Sequence, residues 1–125
     1  MTCLLDVNVL LAAIWDNHPL HQRAFDGIKG KAIAVCPLTE LGFIRISTNP
    51  EATINAPMSK ARELLQRFID ERNALRIPDD LPALESKAAK SDEVTDSYLA
   101  ELSARHDMEL ATMDGRVKHS SVALI

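Results

Sequence analysis

Four carboxylates in this chain stand where an acidic side chain has chemistry to do. Asp6 lies inside the apolar run LLDVNVLLAAI, Glu40 follows AVCPLT, Asp96 sits in VTDSYLAELSARH, and Asp114 closes LATMD. A charge set among leucines and valines is costly unless something compensates it, so Asp6 asks for a partner. Each of the others has a plain explanation when taken singly. Asp96 suits the first turn of a helix, where the macrodipole favours an acid. Asp114 before Gly115 suits a turn, and Glu40 suits an exposed helix position. Carboxylates that gather repel one another, and either protonation or a cation must relieve them. Oxygen donors without histidine or cysteine point to a hard ion, Mg²⁺ or Mn²⁺ in its place. An ion so held activates water and stabilises charge on a phosphoryl oxygen, which is the chemistry of phosphodiester hydrolysis.

For these acids to meet, the elements that carry them must alternate strand with helix. Residues 3–7 read as a short buried strand, and the apolar run 9–15 continues as a helix. Pro19 fits the first turn of a second helix reaching about residue 28, with Gly27 and Gly30 closing it. A second strand is expected at 32–36, then a helix through residue 46 that Thr48-Asn49-Pro50 stops. A long amphipathic helix starts at 57–59 with Ser59 as its cap, its apolar face formed by Ala61, Leu64, Leu65, Phe68 and Ile69. Residues 75–77 read as a third strand, 81–90 as a short helix, 95–106 as a further helix, 110–113 as a fourth strand and 122–124 as a fifth. The pattern is α/β, a parallel sheet of four to five strands with helices on both faces. Ligands of such sheets bind outside the carboxyl ends of the strands, where Asp6, Glu40, Asp96 and Asp114 all fall.

Composition narrows the field further. The 125 residues suit one domain spanning 1–125, with 46% hydrophobic and 26% charged residues. A net charge of −4 argues against a binder that relies on a broad basic field. No run approaches a membrane span and no signal peptide is evident. Cys3 and Cys36 lie in apolar runs without metal-ligand spacing and read as reduced core residues of a cytoplasmic protein.

The phrases LLDVNVLLAAI, HPLHQRA, CPLTELGFIRISTNP and VTDSYLAELSARHDMELATMDGRV, in this order from residue 4 to 117, resemble the PIN-domain ribonucleases, and more closely the VapC-type toxins of toxin–antitoxin systems. The resemblance implies a PIN-like three-layer fold and a Mg²⁺-dependent endoribonuclease. It implies Asp6 and Asp96 as metal ligands, with Glu40 and Asp114 completing the catalytic acids. Asn8 and Thr112 match positions that support the carboxylates. It also implies RNA as substrate, a VapB-like antitoxin as partner, and a homodimer.

Some assignments stay open. Asp92 and Glu93 lie close to Asp96, which is preferred because Tyr98, Leu99 and Leu102 follow it as a core face should. Arg45 is the foremost candidate for an RNA phosphate, with Lys87, Lys90, Arg116 and Lys118 as further cations. Trp15, His18 and His21 suit helix packing or partner contact better than base stacking. Phe43, Ile44 and Ile46 offer either core or a dimer face. Two other functions compete. An acid-pocket phosphotransfer domain would carry a lysine after a late strand, or a second aspartate where this chain has Asn8. A non-catalytic binding module of the same fold would not need all four acids.

Overall fold

The computed structural model describes residues 1–125. Five parallel strands lie in the order β3-β2-β1-β4-β5. They are β1 (Cys3–Leu5), β2 (Ile33–Val35), β3 (Leu75–Arg76), β4 (Glu109–Thr112) and β5 (Val122–Leu124). The helices are α1 (Val7–Ile14), α2 (His21–Ile28), α3 (Pro37–Ser47), α4 (Met58–Arg72) and α5 (Val94–Arg105). The α/β class and the parallel sheet expected from the strand–helix alternation are what the chain adopts.

Strand alternation divides the core into two layers. Cys3 and Leu5 of β1, with Ile33 and Val35 of β2, pack under α1 to α4 around Val9, Leu10, Ile28, Phe43, Leu65 and Ile69. Leu4 and Ala34 face the other way, onto Leu99 and Leu102 of α5 and onto Met108 and Leu110. Each fully buried Leu, Ile or Phe removes enough apolar area from water to contribute roughly 1.5–3 kcal/mol. Trp15 stacks on Phe43 at 6.2 Å, and its indole N–H donates to Ser47 Oγ at 2.9 Å. His21 Nδ1 lies 2.8 Å from the carbonyl oxygen of Ala12. Trp15 and His21 thus pack helices together. Phe43 is wholly core and leaves the dimer-face reading to Ile44 and Ile46.

Several boundaries differ from the sequence expectation. β1 stops at Leu5, because Asp6 turns the chain and caps α1 (φ −63°, ψ 157°), so Val7 is already helical. Gly27 lies within α2, where a Cβ would meet Ile125 at 2.9 Å, while Gly30 (φ +73°) makes the turn beyond it. Ser59 is inside α4; Pro57 precedes the helix without a side-chain cap. Residues 81–90 form no α-helix, only a 3₁₀ turn at Ala83–Glu85 with Leu84 fully exposed. A second such turn, Ser91–Glu93, leads into α5. Cys3 and Cys36 are buried and unpaired, and burial pushes the Cys36 thiol up to about 11. No helix is long and apolar enough to cross a membrane.

Candidate active site

Asp6 reaches the carboxyl edge of the sheet because β1 ends there and α1 begins at once. Its backbone N–H donates to Ala111 O on β4 at 3.0 Å, and its carbonyl accepts from Val9 and Leu10 in the first turn of α1. The residue is only 5% exposed. Oδ1 accepts from Val7 N–H at 2.7 Å and Oδ2 accepts from Thr112 Oγ1 at 2.7 Å. Each oxygen keeps a lone pair for another partner.

Thr112, the last residue of β4, is fully buried and joins three groups. Its hydroxyl donates to Asp6 and accepts from Asn8 Nδ2 at 3.2 Å and from Asp114 N–H at 3.1 Å. Asn8 completes the tie by accepting from Met113 N–H at 3.3 Å. Asn8 supports the carboxylate at one remove, since it bonds the hydroxyl that bonds the carboxylate. Thr112 serves Asp6 with its proton and the Asp114 backbone with its lone pair.

Asp114 is clamped by its own loop. Oδ1 accepts from the backbone N–H of Arg116 at 2.9 Å and from Nε at 3.0 Å, and Oδ2 accepts from Nη2 at 2.9 Å. That guanidinium, followed by the backbone N–H, pushes the Asp114 carboxyl down to about 2. Asp96, in the first turn of α5, is half-buried, and its carboxylate takes no part in any hydrogen bond or ion pair of the chain. Burial raises its carboxyl, the charges of Asp6 and Asp114 raise it further, and Arg116 opposes them. Asp6 is raised as well, chiefly by burial, against the pull of Thr112 and Val7.

Asp6, Asp96 and Asp114 therefore stand within range of one another's charge, with Asp92 at the margin of Asp96. Glu40 has a cation of its own. Its Oε1 pairs with Arg76 Nε at 3.1 Å, and it lines a separate cleft with Arg62, Gln66 and Arg76. Arg45 lies in the last turn of α3, exposed and without an ion pair, about 12 Å along the helix axis from its start. It does not line the cavity beside Asp96. That cavity, of about 430 Å³, is bordered by Asp92, Asp96, Ser97, Arg116, Lys118 and Lys90 among others. Arg116 is the residue whose place the sequence reading understated, although the spacing Asp114-Gly115-Arg116 carries the signal.

The donor set suits a hard cation in chemistry. Asp6 and Asp96 keep free lone pairs and carboxyls raised by burial and by other carboxylates. No group of three or more acidic, histidine or cysteine side chains is set to enclose an ion. Mg²⁺ commonly uses one or two carboxylates and keeps several waters, so Asp6 and Asp96 fit it without a closed cage.

A family model, the PIN domain, matches residues 3–122 of this sequence. The chain belongs to the PIN-domain family. Relatives place this PIN domain with the VapC proteins. Ribonuclease VapC38 of Mycobacterium tuberculosis is 36% identical to it, over 91% of this chain and 86% of its own. Ribonuclease VapC39 from the same organism is 35% identical, over 98% and 96% respectively. The solved structure of VapBC2 from Rickettsia felis, bound to a DNA fragment from its promoter, shares the fold of this PIN domain. Its TM-score is 0.65 at 13% identity, over 100% of this chain and 98% of that one.

Proposed function

We propose that this PIN domain is a Mg²⁺-dependent endoribonuclease, the toxic half of a pair whose other member is a VapB-like antitoxin. The observation that carries the reading is the state of Asp6 and Asp96. Two carboxylates at one sheet edge are raised by burial and by neighbouring acids, and Asp96 has no partner at all. The relatives named Ribonuclease VapC support RNA as the substrate, and the VapBC2 neighbour supports the antitoxin. The proposal includes a homodimer in the cytoplasm.

Asp6 and Asp96 would hold the ion. When bound, it supplies an activated water and neutralises charge on a phosphoryl oxygen. The chain's own residues do the rest. Thr112 and Asn8 fix the Asp6 carboxylate, so it needs no reorganisation when substrate arrives. The cavity beside Asp96 is where a strand of RNA would enter, and Lys90 and Lys118 on its border are the cations that would meet its phosphates. Glu40, paired with Arg76, and Arg45, in the last turn of α3, keep in this reading the roles of a further catalytic acid and a phosphate contact.

Replacing Asp6 or Asp96 with Asn at matched expression tests the reading. Each change is expected to abolish both RNA cleavage in vitro and growth inhibition on induction. Full toxicity in both variants would sink it.

A further inference from the structure

The cavity beside Asp96 does not stand alone. A second cavity, of about 790 Å³, adjoins it and shares Ser97, Lys118 and His119 with it, while Lys87, Glu101 and Ala104 line only the second. A volume in this range takes a small organic group. Ser97 and Glu101 are four residues apart on α5, so they lie on one face, about 6 Å apart along the axis. One helix thus carries Asp96 to the first cavity and Glu101 to the second. Glu101 is half-buried, and its Oε2 is shut off from water with no hydrogen-bond partner. A carboxylate oxygen so placed costs free energy until a donor reaches it. The chain supplies none: Glu101 enters no ion pair, although Lys87 and Lys118 border the same cavity.

We propose that the second cavity is a base-recognition pocket, in which Glu101 reads a guanine next to the bond that is cut. The inference rests on the ribonuclease reading above and gives that site a sequence preference. A flat group with two N–H donors side by side spans both oxygens of a carboxylate, as a guanidinium does. Among the four RNA bases only guanine presents such a pair on its Watson–Crick edge, N1–H beside the N2 amino group. Adenine, cytosine and uracil each set a single donor position beside acceptors, which a carboxylate repels. Unstacked bases are read on that edge and stacked on aromatic or histidine rings. His119 offers such a ring where the two cavities meet, held by the Ser121 N–H that donates to its Nδ1 at 3.1 Å. Lys87 and Lys118 offset the repulsion between Glu101 and the phosphates of the strand. Glu101 touches the base and not the reacting phosphate, so it sets specificity and takes no part in the chemistry.

Sequencing the ends left by cleavage of a random-sequence RNA pool tests this. Guanine should predominate at one of the two positions flanking the cut. Inosine placed there keeps N1–H and lacks the amino group, and it should lower kcat/KM by about tenfold. Glu101→Gln, or Glu101→Ala should the first variant fold poorly, should shrink that difference to about twofold or less, as a cycle across a direct contact requires. The inosine comparison alters the RNA alone, so a change in folding does not enter it. A pool cut with no guanine preference, no loss with inosine, or an inosine loss that both variants leave at full size would overturn the proposal and leave the ribonuclease reading standing. A pool that the wild-type chain leaves uncut would remove both.

Discussion

Thr112 and Asp6 lie 106 positions apart in the chain and share a buried hydrogen bond of 2.7 Å. At the scale of the residue, that hydroxyl is the point on which the acid depends. It gives Asp6 Oδ2 its only donor, and it is held in turn by Asn8 and by the Asp114 backbone. Thr112→Val keeps the shape of the side chain and removes the proton. It leaves a buried carboxylate oxygen without a donor, at a cost of about 1–3 kcal/mol and more if the group stays charged. The hydrogen bond from Thr112 also restrains the rise of the Asp6 carboxyl, so its loss should raise that carboxyl further. Thr112→Ser keeps the hydroxyl and should recover most of the stability. Urea unfolding of the two variants checks this, and equal losses would show that the hydroxyl does nothing beyond filling space.

At the scale of the element, the crossing of α1 and α3 brings the site's first helix into place. A Cβ at Gly42 would lie 2.6 Å from Val7 Cγ2, so α3 approaches α1 only because that position has no side chain. Alanine in a helix interior ordinarily gains about 1 kcal/mol over glycine, but overpacking a rigid Val costs about 1–3 kcal/mol. Gly42→Ala should therefore destabilise the fold, and less so when Val7→Ala makes room. A double-mutant cycle measures that coupling, and purely additive effects would contradict the close crossing. The elements also differ in how well the sequence reveals them. α3, α4 and α5 carry caps, prolines or long apolar faces, and the expected spans of α3 and α5 and the expected start of α4 came within one or two residues. The 81–90 segment has leucine and alanine at helical spacing but no face to bury, and it stays an open connection with Leu84 in solvent. Periodicity signals a helix only where a surface waits to receive it.

At the scale of the molecule, the site stores a charge imbalance that pH and metal should both relieve. Asp6 and Asp96 bind protons more tightly in the folded chain than in the unfolded one. Their contribution to stability is complete below the unfolded carboxylate pKa of about 3.9, and it is lost as pH rises through their raised values. Asp114 acts in the opposite sense: its contribution is present above that unfolded value and lost as pH falls towards about 2. Its pair with Arg116 is exposed, so that part is small. At neutral pH, then, the metal-free chain carries two charged acids that a divalent ion would stabilise. Mn²⁺ at 100 times its Kd should add about 2.7 kcal/mol, visible as a higher Tm at pH 7. The gain should shrink at about pH 4, where the raised carboxyls hold protons. Calorimetry at both pH values decides it, and an equal gain at each would mean the ion sits elsewhere.

The sequence by itself determined the α/β class, the parallel sheet and the identity of Asp6 as an acid in need of company. These follow from local rules: alternation of apolar runs, turn residues, and the cost of a carboxylate among leucines. It also put Glu40 with the other acids, since both chain order and strand ends place it near the same edge. Only the tertiary structure gave Glu40 a partner of its own. Arg76, at the end of a strand on the other side of β2, reaches Glu40 at 3.1 Å and commits it to a different cleft. Arg116 likewise became the partner of Asp114 only when the loop after β4 folded back on itself. Spacing along a chain says which charges share an edge. Which of them neutralise one another depends on the directions in which the side chains leave that edge, and packing sets those.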